Sequence, residues 1–125
     1  MNEYEKWCGV LDEFDPSFCA YNHANQNYKE YHNVYGYYIV RTNFTLFFVK
    51  QNNMTHRHRL DGPASISKIG YGPISSSDAA FVVKPEWFVN GINITHKTDW
   101  LKENNIDRDN ISNDDVLLIN LIWNT

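Results

Sequence analysis

Cysteine is scarce in this chain: Cys8 and Cys19 are the two among 125 residues. Their spacing fits no metal-binding or redox motif, which leaves them as ordinary thiols in a reducing compartment. No apolar run approaches the roughly 20 residues needed to span a bilayer. The start, Met1 to Lys6, lacks the basic opening and apolar middle of a secretion signal, so a cytosolic protein is expected. Basic charge is also in short supply. Eleven lysines and arginines stand against fifteen carboxylates, a net charge of -4. That balance argues against a nucleic-acid binder, which usually shows a basic face. Without a secretory route, the Asn-x-Thr sequons beginning at Asn43, Asn53 and Asn93 carry no message beyond a richness in asparagine.

What is present suits a folded soluble chain. The apolar fraction is 42% and the charged fraction 21%, with room in 125 residues for one core rather than two. Aromatic content reaches 15%, from eight Tyr, seven Phe and four Trp. Such rings favour strands and large contact surfaces.

Two stretches organise the chain: Thr55 to Ala64, reading THRHRLDGPA, and Glu86 to Gly91, reading EWFVNG. Each couples a strand-like approach to a turn. In the first, Asp61 suits hydrogen bonds to the following backbone, Gly62 is expected to take positive φ, and Pro63 fixes its own φ. In the second, Trp87, Phe88 and Val89 suit a pleated surface, and Asn90-Gly91 signals a tight hairpin.

Read in order, residues 1–33 form the N-terminal segment. Tyr4, Trp7, Leu11 and Phe14 recur at helical spacing, and Asp15-Pro16 stops that helix. A loop with one further strand follows. Residues 34–91 read as an antiparallel sheet, beginning with a strand over Val34 to Val40, a turn near Arg41 to Asn43 and a second strand over Phe44 to Val49. Ala64 to Ile69 alternates as a strand with one wet face. Gly70 to Ser77 is the most loop-like part, and Pro85 belongs on an edge strand or a bulge. Residues 92–125 turn helical. Thr95 is the expected N-cap of a helix over His96 to Asn104, with Trp100 and Leu101 inward. Ser112 caps a second, with Asp115 three residues on, and Val116 to Trp123 is expected as a buried helix, a core strand being the alternative. The class predicted is α+β: a single domain, an antiparallel β-meander packed against C-terminal helices.

The segments HRLDGPA (58–64) and EWFVNG (86–91) resemble a small-repeat pattern of proteins from large tailed bacteriophages of enteric bacteria. In those proteins an HR-x-DGPA turn alternates with a W-x-x-NG hairpin, as in MORN-like β-repeats, before a helical tail. The resemblance covers residues 55–123. One unit is present, with a longer insert at Gly70 to Ala80, and Ile92 to Thr95 replace a second HR-x-DGPA. The resemblance implies a phage-encoded accessory protein working in the host cytoplasm, with no catalytic residue to carry over.

Candidate site residues are weighed against plainer roles. His56 and His58 share a strand face, with Arg57 and Arg59 on the other. A zinc site needs three protein ligands, and none completes the pair nearby, so no metal or cofactor is expected. An Arg57 or Arg59 pair with Asp61 steadies the turn. The same arginines, with Tyr71, Ser75 and Ser76 of the loop, would grip a phosphate-bearing ligand. Ser75 to Ser77 lack an adjacent base, so no enzyme is expected. On one strand Tyr31, Tyr35 and Tyr37 would share a face, for core packing or for anchoring a partner. Trp7 in its acidic segment would present a patch seeking basic surfaces. The leading function is therefore a non-enzymatic phage protein that binds a bacterial host protein and inhibits or redirects it. The alternative is a small protein that sequesters a nucleotide-type ligand; membrane is not expected as a partner.

Overall fold

The computed structural model describes residues 3–15, 28–42, 44–71 and 80–123. The stripe Tyr4, Trp7 and Leu11 winds into α1 (Glu3–Phe14), whose first turn carries Glu3 and Glu5 against the positive end of the helix dipole. All three stripe residues are buried, whereas Phe14 is 52% exposed. The Asp15 amide still bonds the Leu11 carbonyl, and Pro16, the expected stop, lies outside the described residues.

Seven-residue β1 (Tyr28–Val34) is the further strand expected in the N-terminal segment, and it joins the sheet, which therefore starts before Val34. The expected single strand over Val34 to Val40 is in fact a hairpin. Tyr35 (φ 51) and Gly36 (φ 88) turn the chain, and Val34 pairs Tyr37 across them. Two positive-φ residues in a two-residue loop match the right-handed twist of the flanking strands. Then come β2 (Tyr37–Thr42), β3 (Thr45–Lys50), β4 (Asn53–Arg57), β5 (Ser65–Tyr71) and β6 (Ala80–Glu86). The order is β1-β2-β3-β5-β6, all antiparallel, with β4 pairing the far end of the same β3 edge that β5 occupies. Pro85 sits on the outer strand β6, where a missing N–H is tolerated. Strand β5 runs on through Gly70 and Tyr71, which were expected in the loop.

α1 lies on one face of this sheet. Trp7 and Leu11 join Tyr31, Val34, Ile39, Leu46, Phe48, Ala64 and Ile66 in the first core cluster. Buried Arg41 belongs to the same face and is held by the Asp12 carboxylate at 2.7 Å.

A second cluster gathers around the hairpin of β7 (Phe88–Val89) and β8 (Ile92–Asn93), with α2 (Thr98–Glu103) and α3 (Asn113–Trp123). Val89, Ile94, Leu101, Ile106, Ile111 and Ile119 fill it. α2 has no side-chain cap at its start; Thr95 instead takes the Trp87 N–H on its hydroxyl at 2.8 Å and ties the hairpin. The helix closes with Asn105 in the left-handed region (φ 56), and the Ile106 amide reaches back to the Leu101 carbonyl. α3 begins as expected: Asp115 N–H donates to the Ser112 hydroxyl, and Asp115 accepts the Ser112 N–H. The protein is a single small α+β domain, a meander with an N-terminal helix on its face and C-terminal helices on its hairpin. No helix among the described residues is long and apolar enough to cross a membrane.

Candidate functional site

The excursion from His58 to Ala64 leaves and rejoins the sheet at one residue. Phe48 accepts the His58 N–H on its carbonyl at 2.8 Å and donates its own N–H to the Ala64 carbonyl at 2.7 Å. Strand β3 therefore passes from β4 to β5 along one edge, and the intervening loop stands out of the sheet plane. The hairpin runs beside it: Arg59 N–H donates to Phe88, and Gly91 N–H to Arg57. Leu60 accepts the Ile111 N–H at 2.8 Å and so joins the second cluster.

Arg59 turns inward, with its side chain only 6% exposed. Its guanidinium carbon lies 4.3 Å from the Phe48 ring centre and also faces Trp7 and Tyr37. Nε donates to Asp61 at 2.9 Å, Nη1 donates to the Pro63 carbonyl at 3.1 Å, and Nη2 lies 3.7 Å from Glu3. The second Asp61 oxygen accepts the Tyr37 hydroxyl. Burial pushes the Asp61 carboxyl up, but these hydrogen bonds and the Arg59 charge outweigh it and hold the group below the usual carboxylate range. The arginine–Asp61 pair expected from the sequence is present, and its member is Arg59.

Gly62 corrects the reading of the turn. Its φ is not among the positive ones, which belong to Gly36 and Gly91. A side chain there would instead strike the Arg59 guanidinium. Pro63 contributes the carbonyl that Arg59 holds.

The two histidines converge on the Asn90-Gly91 turn. His58 Nδ1 accepts the Asn90 N–H at 2.9 Å, so its proton sits on Nε2, and the His56 ring lies against Gly91. Asn90 (φ 51) and Gly91 (φ 81) form the expected hairpin turn. Burial, and then the nearby Lys50 charge, keep His58 below the ordinary histidine value. Among the described residues no three or more His, Cys, Asp or Glu side chains stand together as a metal site.

Arg57 and Arg59 do not share a face. β4 ends at Arg57, whose guanidinium lies 4.2 Å from the Phe47 ring centre, whereas Arg59 lies on Phe48. Neighbouring strand residues point to opposite sides of a sheet, so the two arginines are on opposite sides of β3. The three tyrosines are likewise separated. Tyr31 is buried under α1, Tyr37 is half-buried at the Asp61 loop, and Tyr35 tips the hairpin at 73% exposure. Tyr71 lies in β5 with its side chain undescribed, and Ser75 and Ser76 lie outside the described residues. Trp7 is core and not a displayed patch. Of its acidic neighbours, Glu3 faces Arg59, Asp12 holds Arg41 and Asp15 meets Lys29.

A groove of about 420 Å³ opens beside the excursion, walled by Tyr37, Tyr38, Lys50, His58 and Asp61. Sequence reading missed it because its wall comes from two strands and a loop. α3 also departs from expectation. It is a helix, but Ile119 is its one fully buried residue, while Leu117 and Leu121 are largely exposed. Its run is apolar on every side, and the hairpin covers one side only.

No protein-family model, curated protein or solved structure matches this chain. What the chain can do therefore rests on its own groups. Arg59, Asp61 and His58 are engaged with the protein itself; Tyr35 and the outer side of α3 face solvent.

Proposed function

We propose that this chain is a non-enzymatic, phage-encoded accessory protein that binds a bacterial host protein in the host cytoplasm and inhibits or redirects it. The observation that carries this reading is the conformation of Tyr35. It occupies the left-handed region (φ 51) at a turn position that suits asparagine or glycine. Holding a bulky residue there costs about 1–2 kcal/mol. Its ring is 73% exposed and so recovers little by burial. Strained residues gather at binding sites, where the strain positions a side chain for a partner. Tyr35 leans edge-on against Phe14, with ring centres 5.9 Å apart, which presents two aromatic rings in one fixed arrangement. Aromatic anchors of that kind dominate protein–protein contacts. The phage origin is supported by the HRLDGPA and EWFVNG segments, whose meeting in space explains why they occur together.

The test compares the tagged chain with its Tyr35→Asn variant in a pull-down from enteric bacterial lysate, read by mass spectrometry. The expected result is a stoichiometric host protein on the parent chain that the folded variant loses. Equal retention by both removes Tyr35 from the interface, and no stoichiometric protein on the parent sinks the reading.

A second reading, capture of a nucleotide-type ligand, is favoured by the groove of about 420 Å³. Lys50 and the Tyr38 ring would hold such a ligand, because the Arg59 guanidinium and the Tyr37 ring and hydroxyl are already engaged. An ultraviolet-absorbing small molecule released from the purified protein is its signature.

A further inference from the structure

In the groove beside the HRLDGPA excursion the acceptors are taken and the donors are open. Asp61 is the carboxylate among the described residues of its wall. One Asp61 oxygen accepts from Arg59 and the other from Tyr37. Arg59 balances the Asp61 charge and is committed further to the Pro63 carbonyl and Glu3.

Lys50 and His58 stand in the same wall. Val49 pairs Arg57, and Phe48 accepts the His58 N–H, so His58 lies beside the end of β3 that carries Lys50. After burial, the Lys50 charge is what keeps His58 below the ordinary histidine value, a second sign that the two are near. Among the described residues nothing pairs with the Lys50 ammonium. His58 uses Nδ1 as the acceptor for the Asn90 amide, which fixes its proton on Nε2, and no described residue accepts that proton. Gln51 and Asn52, in the turn after β3, add amide groups to the wall.

We propose that the Lys50 ammonium and the His58 Nε2–H together bind a single phosphate group in this groove. Open donors beside a satisfied carboxylate select an anion, and a charge-assisted hydrogen bond from lysine gives the strongest hold. The charge count limits the ligand to a monophosphate. Arg59 and Asp61 cancel, which leaves Lys50 as the net positive charge of the described wall, in a chain of net charge -4. A diphosphate or triphosphate would bring charges that meet no cation there and that the chain as a whole repels. The volume, about 420 Å³, lies toward the small end of ligand pockets, which run from roughly 300 to 1,000 Å³. The phosphate site needs no nucleoside; its extension to a nucleoside monophosphate, with the base on Tyr38, rests on the ligand-capture reading above.

Heteronuclear NMR titration of the full chain at fixed ionic strength tests the proposal, with inorganic phosphate, adenosine monophosphate and adenosine triphosphate as probes. Saturable shifts at Lys50, Gln51, Asn52 and His58 are expected with phosphate and with the monophosphate, below about 10 mM. Lys50→Met should weaken both roughly tenfold with an unchanged circular dichroism spectrum, and Lys50→Gln serves as the second variant if that one misfolds. His58→Asn keeps an acceptor for Asn90 but removes Nε2, and should also weaken both. No saturable shift with either probe, binding indifferent to the Lys50 variants, or a triphosphate held more than about tenfold tighter than the monophosphate would each overturn the phosphate site. Phosphate held as tightly as the monophosphate upholds the site and sinks the nucleotide reading. A monophosphate held in the groove without regard to Lys50 does the reverse.

Discussion

The Arg59 guanidinium passes so close to Gly62 that a β-carbon on Gly62 would stand 2.8 Å from its central carbon. The glycine is required for space and not for φ. Arg59 cannot retreat easily, because Phe48 lies 4.3 Å away and Asp61, Pro63 and Glu3 hold its nitrogens. Arg59 in turn bridges α1, the sheet and the loop. This one contact makes the HRLDGPA segment a structural hub.

Gly62→Ala is therefore expected to destabilise the fold by about 1–3 kcal/mol, the usual cost of overpacking. Arg59→Met leaves room at that position, so the alanine should cost much less in the double variant than alone. Urea unfolding of the four proteins measures the coupling; strictly additive costs would show that Gly62 does not answer to Arg59.

Asp61 should sharpen the acid sensitivity of the protein. Its carboxyl is held below the ordinary range despite burial, by Tyr37 and Arg59. A lowered folded value contributes stability above the unfolded value, near 4, and loses it as pH falls through the folded one. Asp61→Asn should thus lose less stability than the parent between roughly pH 4.5 and 2.5. Parallel acid limbs for the two proteins would contradict this role.

His58 acts in a higher window. Burial and the Lys50 charge lower its folded value, so the unfolded chain binds the proton more readily. Its contribution is complete above about pH 6.5 and falls as pH drops through the folded value. Protonation also removes the acceptor that Nδ1 offers to the Asn90 amide. His58→Asn keeps an acceptor without titrating. Between roughly pH 6.5 and 5, amide exchange at Asn90 should accelerate more in the parent than in His58→Asn, after correction for intrinsic rates. Equal protection in both proteins would exclude His58 as the cause.

Tyr35→Asn should stabilise the chain by about 0.5–1 kcal/mol, since asparagine tolerates the left-handed turn. The lost edge contact with Phe14 works against this, but both rings are more than half exposed. Thermal unfolding checks the sign. A clear loss of stability would mean that the Phe14 contact, and not a partner, justifies the tyrosine.

Local chemistry was legible wherever neighbours in sequence set it. The Asn90-Gly91 hairpin, the Ser112–Asp115 capping pair, the α1 stripe and the edge position of Pro85 follow from turn preferences, capping and period. Two local readings went astray for local reasons. Tyr35 disguised the first hairpin, because tyrosine normally signals a strand. Thr95 stood where an N-cap belongs, yet the hairpin engaged its hydroxyl first.

The sequence by itself determined the α+β class, most element types and the two motifs that matter most, since period and turn chemistry act over a few residues. It could not show that those motifs meet. His58 reaches Asn90 across 32 positions, Tyr37 reaches Asp61 across 24, and α1 places Glu3 beside Arg59. Nor could it assign the leucines of α3, because an apolar run has no preferred side until something packs against it. The hairpin covered the side bearing Ile119 and left Leu117 and Leu121 to solvent. Tertiary structure alone decided which apolar and charged groups found partners inside the fold, because burial and pairing depend on distances through space that the chain order does not record.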